Sequence, residues 1–400
     1  MSAFSTPWLN SQENNFFNVL NRSKSANVIL AAETEDFDEE TQKRWVEEGF
    51  FVKYVPLLKG GWDFIHRLHA VGDAFGVSEY YAIVAYGDAA SLALEGHTKP
   101  NHPKLCAVVA YYPSRIPSVH TKFPASIQVL VHLAGTKIGV QKHPEVLGIQ
   151  GKAKTVQKRI DPGVGYGEWL HLAFKAYTYS GVQPGFAESD LEEYDPVADG
   201  VAFTRSIATV RKGFRLENDI EAVRDTQATY LHSGQQGRAM KQTRPYAHVI
   251  HTPTLTGGVG MEDLTDFYEN FFTPIPQATN VSLRLLSRTI GTGRVCDEIF
   301  VALTHTVEIP WLLPGVPPTN KRIEIVIVSI FHVRGSKLES EHIYWDQASV
   351  LVQAGLLDPK LVPDAMKKKG VEKLPVVGAE GARAIKRGGS RQVNALIPDW

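Results

Sequence analysis

Tyr81-Ala82-Ile83-Val84-Ala85-Tyr86-Gly87-Asp88-Ala89-Ala90 is an apolar run of strand length that stops at a glycine, and Cys106-Ala107-Val108-Val109-Ala110-Tyr111-Tyr112-Pro113 repeats the pattern further along. Short apolar runs at 27–32 and 52–56 precede this pair, those at 128–133 and 172–177 follow it, and 62–75 has helical spacing. Strands that are apolar almost throughout, separated by helices, imply a parallel sheet covered on both faces. The alternation ends after a moderately amphipathic helix at 199–212. Residues 1–213 are therefore expected to form an α/β domain.

The order of elements changes from residue 214. Asn218 is placed to cap a helix that carries Ile220, Val223, Tyr230 and Leu231 on one side, and Gly234 closes it. A short segment at 249–252 and a second helix at 261–272 come next. Strand-like runs then follow at 281–287, 295–305, 322–333 and 338–344, the last two joined by Arg334-Gly335-Ser336-Lys337, a hairpin turn by composition. Helices first and a meander afterwards predict an α+β domain over 214–362, with helices packed on one face of a curved antiparallel sheet. Residues 363–400 carry eight Lys or Arg against four Asp or Glu and read as a basic tail, either a solvated arm or a segment that wraps a partner subunit.

Composition narrows the function. The 400 residues are 43% hydrophobic and 21% charged, which suits packed globular cores and excludes disordered and collagen-like chains. A net charge of −1 supplies no global field for gripping nucleic acid, so none is expected as a partner. Met1 to Asn10 has no basic and then apolar leader pattern, and no apolar run approaches the ~18 residues of a membrane span, so a cytoplasmic protein without a membrane partner is expected. Cys106 and Cys296 form neither a CxxC pair nor a disulfide framework.

The run from Tyr81 to Ala90, taken with the CAVVAYYP stretch, resembles the dienelactone hydrolase family, a branch of the α/β-hydrolases. That family presents its nucleophile on a strained turn between a strand and a helix. Here Gly87 holds the nucleophile's place, between Ala85 and Ala89. The resemblance puts the acid's position at Ile138 and the histidine's at Pro184, within Gln183-Pro184-Gly185-Phe186-Ala187. All three triad positions are degenerate, so the domain reads as a pseudo-hydrolase. Ser91 and Cys106 are the remaining nucleophiles near the turn, with helix capping and core packing as their simpler roles.

His342-Ile343-Tyr344-Trp345-Asp346-Gln347-Ala348-Ser349 and the run on to Gln353-Ala354-Gly355 resemble SnoaL-like proteins, the polyketide-cyclase branch of the nuclear transport factor 2-like fold. That resemblance implies a cone-shaped barrel with an apolar interior. It also implies a catalytic pair, Asp346 as general base and His332 as acid or orienting partner, facing each other across the last hairpin. His342, Tyr344 and Asp346 are spaced by two and share a face if the strand persists, and Asp346 would also cap the helix that follows. His248, His251, His305 and Trp345 complete the expected substrate pocket. As a metal trio, His251, His305 and His332 lack a His-x-x-x-His helix or a carboxylate pair, so neither a metal nor an organic cofactor is expected. Gly257-Gly258-Val259-Gly260 lacks the Lys-Ser/Thr ending of a phosphate loop and reads as a pocket rim. Trp311, Leu312 and Leu313 read as packing.

Together these readings predict a general acid/base enzyme that cyclises, isomerises or dehydrates a small apolar carbonyl compound, polyketide-like or otherwise, in the C-terminal cone. The alternatives are an ester or lactone hydrolase in the N-terminal half and a binding or scaffold protein without chemistry. The strand at 322–333 is apolar on both faces, Ile323, Ile325 and Ile327 on one and Val326, Val328 and Ile330 on the other. Two apolar faces need two covers: the cone interior and its helices supply one, and the other meets either the N-terminal domain or, as the SnoaL-like resemblance favours, a second copy of this sheet, so a homodimer through the C-terminal domain is expected.

Overall fold

A computed structural model describes residues 26–58, 60–76, 78–142, 145–146, 149–150, 154–160, 172–179, 181–272, 281–389 and 393–397. The Met1 to Asn10 start and parts of the basic tail lie outside the described residues. The chain divides between Glu217 and Asn218 into two compact units.

The first unit is built on six parallel strands: β1 (Asn27–Ala31), β2 (Phe51–Tyr54), β3 (Tyr81–Tyr86), β4 (Leu105–Tyr111), β5 (Gln128–Leu133) and β6 (Lys175–Thr178). Their order in the sheet is β6-β5-β4-β3-β1-β2. β1, β3 and β4 are central and buried along their whole length, which is why they read as unbroken apolar runs. Helices α1 (Glu39–Glu47), α2 (Trp62–Asp73), α3 (Gly87–Gly96) and α4 (Pro196–Phe214) cover both faces. Ile29, Ile83 and Val108 pack with Phe64 and Leu68 of α2 and with Ala90 and Leu94 of α3. Val28, Leu30, Val84 and Val109, one residue out of phase, pack with Trp45 of α1 and with Phe203 and Ile207 of α4. Asp38 and Asp195 cap α1 and α4 through their side chains, and Pro196 opens α4.

The second unit holds a six-stranded sheet made of β7 (Thr243–His251), β8 (Thr256–Val259), β9 (Ser282–Ile290), β10 (Arg294–Thr304), β11 (Arg322–Arg334) and β12 (Lys337–Tyr344). Its order is β8-β7-β12-β11-β10-β9. The meander β9 to β12 is antiparallel, as the alternating runs predict, but β7 lies parallel to β12. Helix α5 (Ile220–His232) is capped by Asp219, one residue later than the expected Asn218, because it is the Asp219 carboxylate that accepts from the Ala222 amide at 2.9 Å, and the short α6 (Gln236–Lys241) and α7 (Gly260–Asp266) follow it. Val249, Val301, Ile325 and Phe331 form one core with Ile220 and Leu231 of α5.

The basic tail departs from its expectation as a solvated arm. It forms two short helices, α9 (Asp364–Lys367) and α10 (Glu380–Lys386), after α8 (Gln347–Ala354). Ala382 of α10 packs against Phe300 and Ala302 on the outer face of the sheet, Arg383 donates to Glu324 at 2.5 Å, and the Lys386 ammonium lies 4.1 Å from the Phe300 ring centre. Part of the outer apolar face is thus covered by the chain's own tail. Among the described residues no helix is long and apolar enough to cross a membrane.

Candidate active site

Side chains alternate across a strand, so the curved sheet has an inner and an outer face. Ile299 and Val301 of β10, Ile327 and Ser329 of β11, and Glu341 and Ile343 of β12 all point inward. They line a cavity of about 130 Å³ closed by Arg224 and Leu231 of α5, His251 at the end of β7, Tyr268, Phe272 and Trp311. The lining is mostly apolar, and its few polar groups are tied together. Ser329 Oγ donates to Glu341 Oε1 at 2.6 Å. The Arg224 guanidinium lies 3.3 Å from that same oxygen and 3.3 Å from Asp297 Oδ2. Arg288 grips Asp297 from its other side with a bidentate pair at 2.6 and 2.9 Å, and reaches Glu221 and Asp225 on α5. Asp297 and Glu341 are almost fully buried, so this network fixes charge at one wall of an apolar chamber.

His251, at the end of β7, lines the same cavity. It is 2% exposed and ringed by Phe267, Phe272, Trp311 and Trp345, with centroids 5.5 to 6.1 Å away. Burial lowers its pKa against the opposing pull of Glu341, so the ring is neutral at pH 7. Nδ1 lies 3.3 Å from the Thr256 carbonyl. A carbonyl only accepts, so Nδ1 carries the hydrogen and Nε2 the lone pair. Burial raises the pKa of Tyr268, which stays a protonated donor. A neutral base, a phenol and a charge-paired arginine in one mostly apolar cavity can take a proton from carbon and stabilise the oxyanion that results.

The expected pair does not meet. His332 faces Ser340 across the hairpin, six residues short of Asp346, or about 20 Å at roughly 3.3 Å per residue. Asp346 caps α8: one carboxylate oxygen accepts from the Ala348 amide at 3.0 Å and the other from the Ser349 hydroxyl. His332, His342 and Tyr344 share a face, but it is the outer one. His342 Nε2 lies 3.0 Å from His248 Nε2, and Tyr344 is 40% exposed. His332 is buried beside them, its Nε2 without a hydrogen-bond partner among the described residues. Burial, Arg334 and Arg294 push its pKa down to about 2. Of the expected pocket residues only His251 lines the cavity. Trp345 packs against it and against Trp311 while its indole donates to Gln347. His305 is turned to Thr319, whose amide donates to Nδ1 at 3.3 Å. Among the described residues His251, His305 and His332 do not form a metal-binding group.

Arg224, Glu341, Ser329, Asp297 and Tyr268 were not foreseen from sequence. A signal for Arg224 exists: it falls at the buried spacing Ile220, Arg224, Gln227, Leu231, where an arginine demands an acidic partner. The face of β12 was harder to read, because β11 is apolar on both faces and fixes no parity.

In the first unit, Gly87 occupies the turn from β3 into α3 with φ +55°, and the Glu33 carboxylate accepts from the Asp88 amide there. Ile138 is buried in a strand, Lys137–Lys142, of a smaller sheet, and Pro184 lies in a loop. Ser91 is buried in α3, and burial pushes the Cys106 thiol up to about 12.

No family model matches the chain, and no curated protein matches it in sequence. Among solved structures it is similar to AclR, a proposed hydroxylase from Streptomyces galilaeus, at 19% identity and a TM-score of 0.29, over 38% of this chain and 93% of that one. It is similar to a proposed SnoaL-like polyketide cyclase from Jannaschia sp. CCS1 at 14% identity and a TM-score of 0.29, over 36% and 99%. TsrD from Streptomyces laurentii matches at 13% identity and a TM-score of 0.28, over 36% and 99%.

Proposed function

We propose that the cavity of the second unit is the active site of a cofactor-independent acid/base enzyme that moves a proton on a small apolar carbonyl compound, as in cyclisation, isomerisation or dehydration. The observation that carries this reading is the convergence of His251, Tyr268, Arg224 and Glu341 on one mostly apolar cavity. His251 Nε2 takes the proton from the carbon beside the carbonyl. Tyr268 and Arg224 receive the developing negative charge on the carbonyl oxygen. Glu341 holds Arg224 in place and is itself held by Ser329, so it positions rather than abstracts. A chamber of about 130 Å³ is close to the ~150 Å³ engineered cavity that takes up benzene, so the reacting portion is about one ring in size. In this reading the base role expected of Asp346 falls to His251 on β7, and the polar groups beside it are Arg224, Tyr268 and Glu341.

The α/β-hydrolase resemblance of the first unit is kept as a proposal about scaffold only. Parallel strands, two-sided helices and a left-handed turn after β3 support it, while the turn residue has no side chain with which to attack.

The test is deuterium incorporation, followed by NMR, at the carbons next to the carbonyl of small cyclic ketones. The parent should exchange at least about 10²-fold faster than His251→Gln, the usual cost of losing a general base. Equal rates in parent and His251→Gln, or a parent no faster than buffer, would remove the proposal.

A further inference from the structure

Away from the cavity, the first unit gathers three histidines from three different elements. His69 is on α2, His97 is the residue that ends α3, and His102 lies in the loop before β4. α2 and α3 can approach closely at this point because Gly96 has no side chain: a Cβ there would come within 3.0 Å of Ile65 Cδ1. The three rings stack and tilt against one another with centroids 3.9, 5.0 and 5.1 Å apart. Their available ring nitrogens all lie within 4.8 Å of one another.

Hydrogen bonding decides which nitrogens are available. His97 is 0% exposed, and its Nδ1 lies 2.7 Å from the Ala93 carbonyl. That carbonyl can only accept, so Nδ1 bears the hydrogen and Nε2 is a lone pair. His97 Nε2 is buried and has no hydrogen-bond partner among the described residues, and the same holds for His69 Nε2. Two unsatisfied nitrogens in one buried place are costly, since a buried donor or acceptor left without a partner costs about 1–3 kcal/mol. A third imidazole stacked on them relieves neither. An imidazole whose far nitrogen donates to a backbone carbonyl is the usual arrangement of a metal ligand, fixing the tautomer and aiming the lone pair. Burial also lowers all three pKa values, which leaves the rings neutral and competent as ligands.

We propose that His69, His97 and His102 bind a divalent late first-row transition ion of the Zn²⁺ class, fastening the ends of α2 and α3 to the loop that enters β4. An ion about 2.1 Å from each nitrogen needs the nitrogens roughly 3.4 Å apart, which small ring rotations of His69 and His102 achieve from the observed spread. Three imidazoles leave a fourth position for water or for Asp73, one turn beyond His69 on α2. Imidazole ligands suit zinc, cobalt, nickel and copper and disfavour magnesium and calcium. The ion is placed to stabilise the first unit and owes nothing to the chemistry proposed for the second.

The experiment uses the full chain stripped with chelator and dialysed against Zn²⁺, with Co²⁺ as a spectroscopic probe. His69 and His102 are only half-buried, so His69→Gln and His102→Gln are the variants of choice, and circular dichroism checks that each folds. The parent should hold one equivalent of Zn²⁺ at least about tenfold more tightly than either variant. It should show visible Co²⁺ bands of a four- or five-coordinate site and melt at higher temperature with Zn²⁺ than without it. Both variants should lose the bands and the thermal shift. If the variants bind Zn²⁺ as the parent does, or if His248→Gln/His342→Gln removes the bound ion while His102→Gln does not, the assignment is overturned. Should one of the two variants not fold, the other decides.

Discussion

The turn at Gly87 and the chamber behind β12 are the two places for which a catalytic position is expected or proposed, and they differ in what occupies them. At Gly87 the backbone takes the left-handed conformation after a buried strand, at the start of a helix, and then presents no side chain. In the chamber nothing in the backbone is strained for function, yet Arg224, Glu341, His251 and Tyr268 line it together, and the buried Asp297, itself gripped by the half-buried Arg288, pairs with Arg224 behind them, at a cost that the pairing offsets. Geometry without chemistry can persist because a parallel sheet needs its turn in any case. Buried charge does not persist cheaply, which makes the chamber the better guide to function.

The comparison breaks first if the charges of the chamber are not held as a unit. Asp297 serves both Arg224 and Arg288, so Asp297→Ala leaves two guanidinium groups short of a partner. A loss of about 3–5 kcal/mol is expected in urea unfolding, as for other broken buried pairs. A loss under about 1 kcal/mol would mean that the network is a loose surface feature and that the wall carries no organised charge.

The two faces of β12 and β11 offer the next test. His332 on the outer face is neutral when folded, its pKa held down to about 2 by burial and by Arg334, Arg294, His248 and His342. The unfolded chain binds a proton at this histidine near pH 6.5, so below that pH the unfolded state holds more protons and stability falls as pH falls. Its stabilising contribution is complete above about pH 6.5 and drains away toward the folded value at about 1.4 kcal/mol per pH unit. Between pH 6.5 and 5 the parent should therefore lose about 2 kcal/mol more than His332→Gln, the other histidines being common to both. Identical pH profiles would show that His332 is solvated and titrates normally.

How far the sequence could be read follows the same division between pattern and parity. Unbroken apolar strands announced the parallel sheet, and the four runs from 281 to 344 announced the meander, because burial on both faces or on alternate positions leaves a direct mark on composition. Only the end of β7 is legible as a strand, and the structure has the matching feature: Tyr246 is exposed and the strand pairs in register with β12 chiefly over His248 to His251. At the site, the spacing shows which residues of β12 share a face and leaves open which face is inside. His342 and Tyr344 look functional and do share a face, but a strand's inner face is settled by what packs against it, and here Glu341 and Ile343 are inside. The tail was misread because net charge hides Ala382, the residue that docks.

Asp346→Ala separates the two readings of the hairpin directly. As a cap it holds the Ala348 amide and the Ser349 hydroxyl, so its loss should cost about 1 kcal/mol in thermal or urea unfolding. Deuterium exchange into a cyclic ketone should be unchanged. A hundredfold loss of exchange with stability intact would return Asp346 to the catalytic role and displace His251.

The smallest effect on the single chain concerns the outer face, where a homodimer is proposed. Ile325, at first sight a residue to test, is 3% exposed and part of the inner core, so an acidic residue there would unfold the unit and say nothing of assembly. The right position is Val328, which points outward opposite Glu298 and Tyr344 and is half-buried in the isolated chain, beyond the stretch that α10 covers at Phe300 and Ala302. A self-complementary contact across this face would place Val328 and Ile330 against their counterparts around a two-fold axis. Val328→Lys, which meets Glu298 without like-charge repulsion, should therefore change the unfolding free energy of the chain by no more than about 0.5 kcal/mol, as surface substitutions do. Light scattering should nonetheless move from about twice the 44.2 kDa chain mass to the chain mass itself. A parent that already scatters at 44.2 kDa at micromolar concentration, or a variant that keeps the doubled mass, would leave the outer face to the tail alone.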